Sequence, residues 1–109
     1  MTTSTLNIGD MVSVLIDGVC TSNNALLTYG FGGDVVEATE KAVRIVAETE
    51  NGKVISAWFP RRAFNKVTDS GNFGNQPAKR TSLARWFKPN GWTARFIELA
   101  SRNETGVYA

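Results

Sequence analysis

The clearest pattern along the chain is a pair of apolar runs, Ala42–Thr49 and Lys53–Phe59, on either side of Asn51-Gly52. Asn-Gly between alternating strands is the strongest short-range hairpin signal, because both residues tolerate a positive φ. A two-residue turn there sets Glu50 opposite Lys53, Ala47 opposite Ser56 and Ile45 opposite Trp58. One face then carries Val43, Ile45, Ala47, Val54 and Trp58, and the other carries Arg44, Val46, Glu48, Ile55, Ala57 and Phe59. The first is the cleaner apolar face. This register turns Trp58 inward and leaves Phe59 as the more exposed ring. Pro60 cannot donate to a ladder and ends the strand.

Upstream, Asp10–Ile16 is β-branched enough for a strand, and Asp17-Gly18 suits a tight turn into Val19-Cys20-Thr21. Ser22-Asn23-Asn24 reads as a second turn, and Ala25–Tyr29 is too short to assign by period. Gly30–Asp34 reads as a flexible connection before a short strand, Val35–Thr39. Downstream, residues 65–80 are rich in Gly, Asn and Ser and read as a long loop. Thr81-Ser82 offers a cap for a short helix, Leu83–Lys88, which Pro89 breaks. Asn90 caps a second helix, Gly91 to Arg102, with Trp92, Phe96 and Leu99 as its apolar stripe and Glu98–Arg102 as a favourable pair. The expected fold is α+β. A small bent antiparallel sheet of four or five strands, or a partly open SH3-like or OB-like barrel, is followed by two short C-terminal helices. Residues 1–109 form a single domain, with flexible tails at 1–7 and 103–109.

Composition narrows the chemistry more than the fold. There is no histidine, so the commonest general base and the commonest transition-metal ligand are both missing. One cysteine, Cys20, excludes an intramolecular disulfide, and with no histidine it has no partner for nucleophilic activation; it reads as a small core residue. No metal, cofactor or catalytic group is expected. Glu48 and Glu50 read as solvated acids at a hairpin end. Gly30-Phe31-Gly32-Gly33-Asp34 lacks the Lys-Ser/Thr of a phosphate loop and carries an acid where phosphate would sit. The N-terminus has no signal-peptide pattern and no apolar run is long enough to span a bilayer, so a cytoplasmic location without a membrane partner is expected.

The formal charge of +2 hides an asymmetry. Residues 1–60 sum to −4, whereas residues 61–109 sum to +6. Aromatics and cations interleave in the second half. Arg61 and Arg62 follow Trp58-Phe59-Pro60, and Lys79, Arg80, Arg85, Lys88 and Arg95 surround Trp86, Phe87 and Trp92. Phe59 stacking a base while Arg61, Arg62, Lys79, Arg80, Arg85, Lys88 and Arg95 meet phosphates is one reading. Core aromatics with a solvated cationic rim is the other. The two C-terminal helices do not make a helix-turn-helix, since the first is barely two turns and Pro89 cuts the turn.

Lys41-Ala42-Val43, Gly52-Lys53, Trp58-Phe59-Pro60-Arg61-Arg62 and Phe64 together resemble a pattern in small proteins of phages, plasmids and other mobile elements: Lys-Ala-apolar, a glycine turn, then Trp-apolar-Pro and a basic residue. Leu83–Lys88 is similar to their downstream Trp-containing helix. The match spans about a third of the chain, and Arg61-Arg62 stands where Lys-Ser is usual. The resemblance implies a mobile-element context and carries no reaction. The expected function is therefore a small non-enzymatic binding protein whose ligand is nucleic acid, single-stranded in the first instance. The alternative is a protein-interaction module that docks on a host protein or forms a homodimer, motivated by more large aromatics than one small core must hold.

Overall fold

Six strands hydrogen-bond into one mixed sheet, and an α-helix, the one among the described residues, packs on the face where the core lies. The computed structural model describes residues 5–16, 19–20, 26–27, 30–73 and 76–101. The strands are β1 (Met11–Leu15), β2 (Val19–Cys20), β3 (Leu26–Leu27), β4 (Gly30–Ala38), β5 (Ala42–Glu48), β6 (Val54–Pro60), β7 (Thr68–Phe73) and β8 (Gln76–Ser82), with helix α1 at Gly91–Ala100. The large sheet runs β6-β5-β4-β1-β8-β7, and β2 pairs with β3 beside it. Every pair in the large sheet is antiparallel except β1–β8, which is parallel.

This overturns the expected α+β arrangement of four or five antiparallel strands with two C-terminal helices. The fold is mostly sheet, with six strands, one parallel pair and one helix among the described residues. Two segments read as loops are strands. Gly30–Asp34 opens β4, with Phe31, Gly33 and Val35 facing inward. A side chain at Gly33 would collide with the main-chain oxygen of Val46, so the glycine serves close approach of β4 and β5 rather than flexibility. Residues 65–80 are largely the β7–β8 hairpin. Pro77 sits in β8 ahead of its pairing with β1, which runs from Val12–Lys79 to Leu15–Ser82, so its missing N–H costs that ladder nothing. The segment Leu83–Lys88 is not helical. The Leu83 N–H donates to the Leu15 carbonyl (3.0 Å) and the Ala84 N–H to the Ala63 carbonyl (2.7 Å), so its first donors serve the sheet instead. The expected turns at Asp17-Gly18 and Ser22–Asn24, Arg102 and the tail 103–109 lie outside the described residues.

The β5–β6 hairpin forms, with a register one residue from expectation. Its loop has three residues, Glu50-Asn51-Gly52. The Thr49 N–H donates to Lys53 O (2.8 Å), the Gly52 N–H to Thr49 O (2.9 Å), and Gly52 takes φ 80°. Ile45 therefore pairs with Ala57, Ala47 with Ile55 and Arg44 with Trp58. A one-residue slip moves a whole strand's side chains to the opposite face. Ile55, Ala57 and Phe59 point into the core, while Val54, Ser56 and Trp58 face out. Phe59 is 0% exposed and Trp58 44%, the reverse of the expectation.

The core is one cluster on the inner face. It joins Val12 and Val14 of β1, Phe31 and Val35 of β4, Val43 and Ile45 of β5, Ile55 and Phe59 of β6, and Phe96 and Ile97 of α1. The Phe59 ring packs against Phe31 (5.8 Å), Phe64 (5.6 Å), Phe87 (6.2 Å) and Phe96 (5.8 Å). The chain leaving β6 pairs with the chain leaving β8 at Phe64–Leu83. Three strands separate β6 from β8 in the sheet, so this contact requires the sheet to curl around the core. Asn90 is the N-cap of α1, without a side-chain cap bond. The helix buries Ala94, Phe96, Ile97 and Ala100, whereas Trp92 turns outward. Leu6 is also buried in the core, at 2% exposed, although it lies within the expected N-terminal tail.

Candidate functional site

Curling brings two stretches of chain side by side: 61–68, from the end of β6 into β7, and 80–88, from the end of β8 toward α1. Their main chains are joined at Ala63–Ala84 (2.7 Å), Phe64–Leu83 and Asn65–Ser82 (2.8 Å), and Thr81 Oγ1 donates to Asn65 O (2.9 Å). Arg62 and Arg85 flank one end of this ribbon, and Lys66 and Arg80 lie toward the other.

At the first end the Arg62 guanidinium lies over the Trp86 ring, 5.5 Å from its centroid, within cation–π range. Trp86 is 56% exposed. Its ring meets Phe87 edge-on at 6.1 Å, and Phe87 packs on buried Phe59, so the indole is braced against the core while about half of it stays exposed. Arg62, Arg85 and Lys88 are all exposed, and no acidic residue occurs between Asp69 and Glu98. This end presents an aromatic face among cations.

The expected contact residues separate into two groups. Phe59 is buried beneath the surface, so its ring is not available to stack a base. Arg61, beside Arg62 in the 3₁₀ turn Arg61–Ala63, donates Nε to Thr39 O and Nη1 to Leu6 O, both at 2.8 Å. It ties the N-terminal segment and the β4–β5 connection to the end of β6. Lys79 Nζ pairs with Asp10 Oδ2 and donates to Thr5 O, both at 2.6 Å. Arg95, on α1, pairs with Glu98 at 3.3 Å. Arg44 bonds Glu37 and Ser56 Oγ (3.1 Å) on the outer face of the sheet. Arg62 lies over Trp86, Arg85 and Lys88 are exposed near it in the chain, and Arg80 lines a groove with Lys66. Lys66 was hidden inside a segment read as loop, and Trp86 in one read as a short helix. The signal for both was the run of cations without acids, not any periodicity.

The surface has opposite character elsewhere. A hollow at the start of β1 and β8 is lined by Asp10, Asp34 and Asp69 along with Lys79, whose charge Asp10 already balances. Another apolar surface follows the edge strand β6. Main-chain bonds from Thr49 N–H to Lys53 O and from Arg61 N–H to Lys41 O fix the alternation, so Val54, Ser56, Trp58 and Pro60 turn their backbone groups to the open edge. Pro60 has no N–H there. The Trp92 indole N–H donates to Ser56 O at 2.6 Å, and Val54 and Trp58 lie exposed on the same strand face. Among the described residues, no cluster of three or more His, Cys, Asp or Glu could hold a metal ion, and no helix is long and apolar enough to cross a membrane.

No protein-family model, curated protein or solved structure matches this chain.

Proposed function

We propose that this is a small non-enzymatic binding protein whose ligand is single-stranded nucleic acid, in keeping with the mobile-element context its hairpin motif resembles. The observation that carries the reading is the half-exposed Trp86 ring, met edge-on by Phe87 and by the Arg62 guanidinium, in a stretch that also carries exposed Arg85 and Lys88. An indole face stacks an unpaired base of any sequence, while guanidinium and ammonium groups meet the phosphates on either side. A base inside a duplex does not offer its π-face, so single strands are favoured. The mechanism is binding through stacking and counterion release, and affinity falls steeply with salt. Fluorescence anisotropy of labelled DNA and RNA oligomers at low salt tests it. Salt-sensitive binding that Trp86→Ala weakens is the expected result, and no binding at high micromolar protein overturns the reading.

A second reading has its own observation. The open edge of β6, with exposed Val54 and Trp58, is a template for an added strand from a protein partner or a second copy of the chain. Trp92 occupies one acceptor of that edge, at Ser56 O. Sedimentation of the protein with and without Val54→Lys and Trp58→Lys tests this. Self-association that the two lysines abolish supports it, and a concentration-independent monomer together with no partner bound through β6 removes it.

A further inference from the structure

At the second end of the ribbon, a groove of about 220 Å³ is lined by Leu15, Lys66, Thr68, Arg80, Thr81 and Ser82. We infer that this groove is a phosphate subsite: Lys66 and Arg80 clamp a backbone phosphodiester of the same strand whose base stacks on Trp86. The inference rests on the nucleic-acid reading above and extends it by assigning the path of the ligand backbone.

Three observations carry it. First, neither Lys66 nor Arg80 forms an ion pair or hydrogen bond among the described residues, although Arg44, Arg61, Lys79 and Arg95 are each tied to a carboxylate or a carbonyl. Two untied cations facing one groove repel each other, and a shared anion relieves that repulsion. Second, the lining holds no carboxylate, in contrast to the aspartate-lined hollow at the start of β1 and β8. Third, the groove contains a hydroxyl suited to an oxyanion. Asn65 Nδ2 donates to Ser82 Oγ at 2.8 Å, which leaves the Ser82 hydroxyl proton for an acceptor in the groove. Thr81 Oγ1 is already committed to Asn65 O and stiffens the wall instead.

The connection to Trp86 is short. Lys66 lies four residues from Arg62 on one side of the ribbon, and Ser82 four residues from Trp86 on the other. Four residues reach at most about 14 Å, so a short oligomer can touch both ends. The main-chain bonds between the two stretches hold that spacing fixed, so the clamp is preformed.

The test uses labelled dT10 and dT2 over a KCl series, with inorganic phosphate titrated separately against 15N-labelled protein. In the Lys66→Ala/Arg80→Ala double variant, the slope of log K against log salt for dT10 shrinks by about 0.7, the contribution of one phosphate on a single strand. Affinity for dT2, too short to fill both ends, stays within twofold, whereas Trp86→Ala weakens both ligands. Both substituted side chains are exposed, and Lys66→Gln/Arg80→Gln keeps their bulk should the alanine pair lose its fold. Binding of dT10 with an unchanged slope in the double variant overturns the subsite and leaves the Trp86 reading standing. No binding of dT10 by the unsubstituted protein overturns that reading, and this one with it. Phosphate-induced shifts at Lys66, Arg80 and Ser82 without any effect of the double variant on dT10 assign the groove to a free anion and overturn the backbone path.

Discussion

Arg61 holds two main-chain carbonyls, those of Thr39 and Leu6, while Arg62, one residue on, lies over an open tryptophan ring. The same contrast divides the described cations of the candidate set more widely. Lys79 and Arg95 meet Asp10 and Glu98, whereas Arg62 and Arg80 make no ion pair among the described residues. What separates Lys79 from Arg80 is position relative to the acidic first half. Asp10 and the N-terminal segment cover the end of β8 where Lys79 emerges, and no carboxylate lines the side where Arg80 and Lys66 emerge. The +6 of the second half is thus partly consumed by the fold, and Arg62, Lys66, Arg80 and Lys88 lie along one ribbon.

The sharpest way to break this comparison is to attack the core beneath the ribbon. Phe59→Ala removes the ring that supports Phe87, and should cost about 3–5 kcal/mol of stability by denaturant unfolding. Trp58→Ala, one residue away on the open face, should cost under about 1 kcal/mol. Equal losses would contradict the register described above. Next, Arg61→Ala should cost about 2 kcal/mol, since two charge-assisted hydrogen bonds to carbonyls vanish, with oligomer affinity of the folded protein unchanged. Arg62→Ala should show the opposite profile: stability within about 0.5 kcal/mol and a weaker, less salt-dependent interaction with oligomers. Trp86→Ala should lower oligomer affinity by about 1–3 kcal/mol at constant salt, the usual contribution of one stacked base. The smallest effect belongs to the outer face of the sheet, where Glu37→Gln should change stability by about 0–1 kcal/mol, because the Arg44–Glu37 pair is half exposed and screened by solvent.

Some of this was legible in the residues. Asn51-Gly52 located the hairpin, and the strand signals of Asp10–Ile16 located β1. The hairpin register was not legible from the dipeptide alone, because Asn-Gly serves a two-residue turn as well as the three-residue loop seen here, and the two differ by one residue in pairing. Ser56 held the missing information. The expected register sends Ser56 inward with Val54 and Trp58, whereas the observed one buries the uniformly apolar Ile55, Ala57 and Phe59. The β7–β8 hairpin was hidden by its composition: Gly71, Asn72 and Pro77 read as loop residues, and the partner that makes β8 a strand, β1, lies more than sixty positions away. The segment 83–88 had a helix cap in Thr81-Ser82 and a break in Pro89. Its donors go to Leu15 and Ala63, tertiary partners that no local pattern encodes. For the site, the interleaving of cations and aromatics was visible. Which cations the fold would neutralise was not, because Leu6, Asp10 and Thr39 reach them only through the folded chain.

Backbone and side-chain chemical-shift mapping during titration with a short single-stranded oligomer tests the central claim most directly. The account predicts shifts concentrated at 62–68 and 80–88, including the Trp86 indole N–H, with silence at Asp10, Asp34 and Asp69. Shifts that spread along the β6 edge at Val54, Trp58 and Trp92, or that avoid the ribbon altogether, would contradict it.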